Sequence, residues 1–367
     1  MLYSALRRAR DWQALTDAAS RHGMSGLLYR HSAHSCPELV PQTILASWRE
    51  RSVLVAKRSL RMQRQLLSLL ARWEAAGIPV VPFKGPVFSQ QLYCDSTVRQ
   101  FVDLDVLVSE VNVAAARLTA LDAGFTDVAP LAGVTKRTLH SAMQEIVLRH
   151  RDSQVLLEIH WREGPRFETV SLSAQSLIER CVCVELLGRQ VRALSSPDVV
   201  LVLAVHAATH GWVRLEDVAA MAAAIRRLTP KEAAEVETLA AAHRCRRRLH
   251  VSVLLASAIA GCDLPRDIEV PARADRRAKD LAAAAGANLL WGIGETPAPI
   301  SESPADKASR ELRQARALDS TRAARRYLVQ RLVTPAIHEW SKDEQPRRGS
   351  RGMVRMLLRR QRRLWRR

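Results

Sequence analysis

The sequence predicts an α/β protein in which a small sheet-bearing unit sits between N-terminal helices and a C-terminal helical domain. Three observations predict it. β-Branched runs are confined to roughly residues 78–195, residues 47–76 repeat apolar side chains at helical spacing, and from Pro197 onward the period is helical again. Strands alternate faces every residue whereas helices return to the same face every three to four, so a change of period marks a change of architecture.

Taken in order, residues 1–45 carry short helical patches such as Asp11–Leu15 and Met24–Tyr29. Residues 47–76 form one long amphipathic helix, with Leu54, Leu60, Leu66, Leu67, Leu70 and Trp73 drawing the apolar stripe. Ala75-Ala76-Gly77 ends it. The extended run Ile78–Phe83 follows, and its prolines suit an edge or terminal strand. Lys84-Gly85-Pro86 makes the turn into a short helix, Val87–Tyr93. Phe101–Val108 reads as a strand, and Val111–Ala123 as a helix stopped by Gly124. Glu145–His150 and Val155–Trp161 pair across Arg151–Gln154, and a second hairpin turns at Gly188-Arg189. Asp198–Ala208 and Leu215–Leu228 are helical, Thr229–Glu232 starts another helix, and Leu239–Ala260 continues the helical region. Residues 293–308, rich in proline and small polar residues, read as a linker. The expected units are an N-terminal helical region over 1–77, a core over 78–195 and a helical domain over 196–292, then a linker and helix over 293–346 and a tail over 347–367.

The chemistry concentrates in two strands. In Phe101–Val108, Asp103 and Asp105 leave one face while Leu104, Val106 and Val108 leave the other. In Val155–Trp161, Glu158 and His160 share a face opposite Leu157, Ile159 and Trp161. Two apolar-backed strands offering acids on the same side make a seat for Mg²⁺, which takes a few carboxylates and keeps waters or phosphates elsewhere. At the preceding turn, Gly85 lets backbone N–H groups approach a phosphate, and Pro86 suits the first helical position. The helix N-terminus and the Lys84 ammonium both attract anionic oxygen. Arg99 either caps or pairs locally with Asp95, or binds phosphate. His160 is expected to orient Glu158 or pack against Trp161 rather than ligate a hard cation.

These residues carry a resemblance. Phe83-Lys84-Gly85, Leu92-Tyr93, Arg99, Asp103–Val108 and Glu158-Ile159-His160-Trp161 together resemble the uncharacterised bacterial nucleotidyltransferase family, within the polymerase-β-type nucleotidyltransferase superfamily. The likeness continues through Pro197–Val200, His206, His210 and Arg214–Val218 to the region of Tyr327-Leu328 and Pro335. Cys94-Asp95 stands where a Pro-Asp step is common in the family, and Lys84-Gly85 replaces the Gly-Ser turn usual in the wider superfamily. The resemblance implies a small mixed-sheet nucleotidyltransferase core. Asp103, Asp105 and Glu158 would hold Mg²⁺, with two ions in the fullest case. Lys84, Gly85 and Arg99 would bind the phosphates of a nucleoside triphosphate. A hydroxyl acceptor would receive the nucleotidyl group, with Glu158 either completing a second metal position or removing the acceptor's proton. It also places His210 and Asp217 in the wall of the site beside His160. The alternatives are a phosphotransferase using the same acids and a non-catalytic nucleotide-binding or scaffold protein. Action on an RNA end would require the tail to bind RNA.

Composition bounds the rest. The chain has 367 residues, of which 47% are hydrophobic, which excludes a disordered protein. The longest apolar runs, Val199–Ala208 and Val251–Cys262, are too short to span a bilayer. With no leader pattern at the start, a cytoplasmic protein is expected, peripheral at the inner membrane surface if the tail engages lipid. The six cysteines, at 36, 94, 181, 183, 245 and 262, lack metal-knuckle spacing and read as reduced thiols. His206 and His210, four apart, face the same way on a helix. They read as a core or cleft-lining pair ahead of a zinc pair, since no His-Glu-x-x-His pattern accompanies them. Of the net charge of +19, residues 347–367 supply ten arginines and no acid. That tail is a basic amphipathic helix in pattern, suited to an anionic membrane surface, an acidic partner or its own domain ahead of RNA.

Overall fold

In the computed structural model, residues 6–128, 144–163, 170, 172–291 and 304–333 are described. The proline-rich stretch before 304 and the arginine-rich tail lie outside them.

The N-terminal helices are α1 (Trp12–Arg21), α2 (Ser25–Ser35) and the 34-residue α3 (Gln42–Ala75). Asp11 caps α1 by accepting from the Ala14 amide at 2.8 Å, satisfying one of the first-turn donors. The stripe on α3 changes sides along its length. Met62, Leu66, Leu69, Leu70 and Trp73 are buried against the sheet, but Leu54 and Leu60 are exposed, contrary to the sequence pattern. Only the C-terminal half of α3 reaches the sheet; the N-terminal half packs on α2 through a different face.

Five strands make the main sheet: β1 (Val80–Phe83), β2 (Asp103–Val108), β3 (Phe125–Asp127), β4 (Glu145–His150) and β5 (Leu156–His160). Their spatial order is β1-β2-β5-β4-β3. β2 runs antiparallel to β1 and parallel to β5, so the sheet is mixed. β1 lies at the edge, where Pro82 and its missing N–H are tolerated. Between β1 and β2 comes α4 (Gly85–Tyr93), and between β2 and β3 comes α5 (Val113–Asp122), after which Gly124 turns with φ +93°.

Alternation gives the sheet two unlike faces. Leu104, Val106, Val108, Leu157 and Ile159 enter a core with α3 and α5. On the reverse face, Leu107, Phe83 and Val81 enter a second and larger core with the helices that follow. Asp103, Asp105, Glu158 and His160 occupy that same reverse face, which is therefore apolar at one end and ionic at the other.

A short ribbon, β6 (Arg162–Glu163) with β7 (Leu172–Ser173), leads through α6 (Ala174–Glu179) to the hairpin β8 (Val182–Leu186) and β9 (Arg189–Ala193). Its turn is Leu187-Gly188, both at positive φ (50° and 76°), one residue earlier than the pattern indicates. Two positive φ values match the right-handed twist of the flanking strands, and glycine supplies one of them without strain.

The nearly all-apolar α7 (Ser196–Thr209) is buried from Pro197 through Val205, because sheet and helices surround it on every side. Around it pack α8 (Leu215–Ile225), α9 (Pro230–Ala242), α10 (Arg246–Ala260), α11 (Arg266–Ala274) and α12 (Arg276–Trp291), then α13 (Pro304–Arg316) and α14 (Thr321–Val333). Thr229 and Glu232 form a reciprocal capping box at α9. The single helical region expected over Leu239–Ala260 is broken at 243–245, where Arg244 takes φ +58° and Arg246 starts a new helix. Among the described residues, no helix is long and apolar enough to cross a membrane.

Candidate functional site

The parallel pairing of β2 with β5 sets Asp105 directly across from Glu158. Side chains at paired positions leave the same face, so two carboxylates separated by 53 residues in sequence meet. Ligand atoms of Asp105, Glu158 and His160 lie within 4.8 Å of one another. Asp103, two residues earlier on β2, lines the same cavity but lies outside that close group. Burial raises its pKa to about 6, and the fields of Asp105 and Glu158 add to the effect.

His160 is the hub of the acids. Its Nε2 is 3.0 Å from Asp105 Oδ1 and 3.3 Å from Glu158 Oε2, and its Nδ1 is 3.1 Å from Glu145 Oε2. Burial opposes a charge on the ring, but the bonds to Asp105 and Glu158 outweigh it and raise the pKa to about 10. The imidazole is therefore cationic in this arrangement, and the edge of the Phe83 ring braces it at 5.3 Å. Trp161 points to the opposite face, as alternation requires.

Lys84 enters from the strand-to-helix turn. Its backbone has φ +54°, a region that non-glycine residues rarely occupy and that is strained. Its Nζ lies 3.3 Å from Asp105 Oδ1 and 3.2 Å from Glu163 Oε2. Burial opposes that charge too, but Asp105 and Glu163 prevail and hold the ammonium protonated. In return, Lys84 and His160 hold the Asp105 carboxyl well below the usual range despite its burial. The lysine expected beside a phosphate is thus anchored on the acids, next to the N-terminus of α4 where Gly85 sits at φ +40°.

Arg99 does not pair with Asp95. Its Nε bonds Glu216 Oε1 at 3.0 Å, across 117 residues of sequence. Asp95 instead accepts from the Thr97 amide at 2.8 Å and hydroxyl at 2.7 Å, a local turn that uses its lone pairs. Arg214 also bonds Glu216.

The His206 and His210 rings lie 4.6 Å apart on successive turns of α7 and its end. Burial pushes the pKa of His206 well down, helped by Lys84 and His210, so this ring is neutral. Asp217, on the first turn of α8, is buried, and that burial lifts its pKa to about 6. His206, His210 and Asp217 line one cavity of about 550 Å³ together with Lys84, Arg99, the acidic cluster around His160, Glu216, Ser20, Thr209 and Arg162.

Glu145, Glu163 and Glu216 were not singled out by sequence reasoning. Glu145 was within its reach: the hairpin across Arg151–Gln154 places residue 145 opposite residue 160, as observed. Glu163 and Glu216 carry no such signal, because their partners come from distant elements.

Comparison with known families matches residues 8–261 to a family described as uncharacterised nucleotidyltransferase. No curated protein matches the chain. The match covers well over half of the sequence and includes every residue that lines the cavity. This chain belongs to that uncharacterised nucleotidyltransferase family.

Proposed function

We propose that this protein transfers a nucleoside monophosphate from a nucleoside triphosphate to a hydroxyl acceptor, with release of pyrophosphate and dependence on Mg²⁺. The observation that supports it most is the pairing of Asp105 with Glu158 on adjacent parallel strands, with Asp103 beside them and a lysine-glycine turn at the same cavity.

The donor set fits a hard divalent cation. Asp103, Asp105, Glu145, Glu158 and Glu163 bring five carboxylates to one end of the cavity, against the two cations Lys84 and His160. Burial raises the pKa values of Asp103 and Glu145, and the neighbouring acid Glu158 adds to both shifts. Oxygen donors of this kind suit Mg²⁺ and the imidazole does not, so Asp103, Asp105 and Glu158 would hold the ion and His160 would position them. When bound, the ion neutralises phosphate charge.

The chain's own groups supply the rest. Lys84 and the Gly85 amide at the start of α4 steady phosphate oxygens. The acceptor oxygen forms a bond to the α-phosphorus as the bond to the bridging oxygen breaks. Pyrophosphate leaves with that electron pair, and a Glu158 carboxylate oxygen takes the hydroxyl proton.

The test is incubation of the protein with each labelled triphosphate, Mg²⁺ and host extract, with mass analysis of whatever becomes labelled. A mass gain of a nucleoside monophosphate supports the reading, and a gain of phosphate alone replaces it with phosphoryl transfer. An Asp105→Asn variant that kept full activity would remove the acids from the mechanism.

A further inference from the structure

Asp217 stands apart from every other acid in the cavity. It is 7% exposed, and its Oδ2 has no hydrogen-bond partner among the described residues. A buried carboxylate without a partner destabilises the fold it sits in. Its neighbour Glu216 is engaged by Arg99 and Arg214, so Asp217 holds an acceptor that this network leaves unused.

Position separates it from the metal-type acids. Lys84, Asp105, Glu145, Glu158 and His160 are joined by contacts of 3.0–3.3 Å at the sheet, whereas Asp217 stands on the first turn of α8, next to the Glu216 that Arg99 and Arg214 hold. The cavity therefore has a sheet end that carries Lys84 and the carboxylate cluster and an α8 end that carries Asp217. The volume of about 550 Å³ suits one small ligand. Phosphates are drawn to the end holding Lys84 and the start of α4. At the α8 end Arg99 and Arg214 are both engaged by Glu216, so Asp217 presents an acceptor there, which favours a neutral group rich in hydrogen-bond donors.

We propose that the Asp217 end is the nucleoside subsite, where the carboxylate accepts hydrogen bonds from two adjacent donors on the nucleoside of the bound triphosphate. The inference rests on the nucleotidyl-transfer reading above. Two parts of a nucleotide present such a pair: the 2′,3′-diol of ribose, and the ring N–H with the exocyclic amine of guanine. An ionised carboxylate is acceptor-only with two oxygens, so either pair fits it, and a ligand lacking the pair leaves it unsatisfied. The same unmet acceptor gives the site its discrimination.

The experiment measures equilibrium binding of ATP, GTP, CTP, UTP, 2′,3′-dideoxy-ATP and inorganic tripolyphosphate with Mg²⁺, to the wild-type chain and to Asp217→Asn. Thermal melting without ligand accompanies it. Replacing a buried charge with an amide is expected to leave the melting temperature equal or higher, and Asp217→Ser serves as second variant if the first does not fold. The expected result is a loss of about tenfold or more for ribonucleotides in Asp217→Asn, with tripolyphosphate changed less than about twofold. An equal loss for all four ribonucleotides that spares dideoxy-ATP assigns the diol. A loss confined to GTP assigns the guanine edge. If the wild type binds triphosphates but Asp217→Asn binds each as tightly, or loses tripolyphosphate equally, the subsite is overturned while nucleotidyl transfer stands. A wild type that binds no triphosphate overturns both.

Discussion

The Lys84 ammonium lies 3.3 Å from the Asp105 carboxylate, and this ion pair joins the strand-to-helix turn after β1 to the middle of the acidic strand β2. Lys84 is the N-cap residue of α4 in a strained backbone conformation, so the pair ties helix, turn and sheet at one point. The lysine meets two acids, Asp105 and Glu163, that belong to different strands. Its loss would leave both of them buried without that counter-charge.

Lys84→Ala is therefore expected to destabilise the fold by about 3–5 kcal/mol, the range for breaking a buried pair by removing one partner. Urea titration of the two proteins measures it. A change below about 1 kcal/mol, the size of a surface pair, would mean that the acids are compensated in another way.

Mg²⁺ is expected to stabilise the wild-type chain by mass action, about 2.7 kcal/mol at a concentration a hundred times the dissociation constant. Melting with Mg²⁺ against melting with chelator shows the effect. Glu158→Gln is expected to reduce it strongly because one of the close carboxylates is gone. A variant shift equal to that of the wild type would remove Glu158 from the metal site.

His160 provides a pH signature in metal-free protein. Its ordinary value of 6.5 is raised on folding to about 10, so the folded chain retains a proton that the unfolded chain releases. The stabilisation is complete below pH 6.5 and is lost as pH rises toward about 10. Denaturant midpoints measured across that window with chelator present should fall for the wild type and stay flatter for His160→Asn. Parallel curves for the two proteins would show that the ring is neutral in the fold.

Arg99→Ala leaves Glu216 with Arg214 as its ion-pair partner and removes a buried guanidinium from the cavity wall. A loss of about 2–4 kcal/mol in stability is expected, less than for a charge stripped of every partner. Glu216→Gln in the same background should recover part of it, and a double-mutant cycle measures the coupling. Additive losses would show that the contact contributes nothing.

Much of this architecture was legible from the chain alone. Alternation placed Asp103 and Asp105 on one face and Glu158 with His160 on one face, and the sheet keeps both arrangements. The hairpin register followed from the turn Arg151–Gln154, and the ends of α3 and α5 followed from Gly77 and Gly124 and the start of α9 from the Thr229 cap. Local pattern failed where a residue's surroundings are set by other elements. Leu54 and Leu60 lie in an apolar stripe but are exposed, because among the described residues no element covers that face of α3. Arg99 had a nearby acid in Asp95, but that acid is held by Thr97 in its own turn and by Arg30, and the guanidinium found Glu216 on α8.

By itself the sequence determined the faces of the strands, the strand-turn-helix at Lys84-Gly85 and the family, because these depend on residue period and on local backbone chemistry. Tertiary structure decided which charges meet. The parallel register of β2 with β5 put Glu158 beside Asp105, the packing of α7 and α8 brought His206, Glu216 and Asp217 to the same cavity, and the turn after β5 delivered Glu163 to Lys84. Burial then changed what those groups are: away from water, an amine, an imidazole and several carboxyls take their protonation from each other.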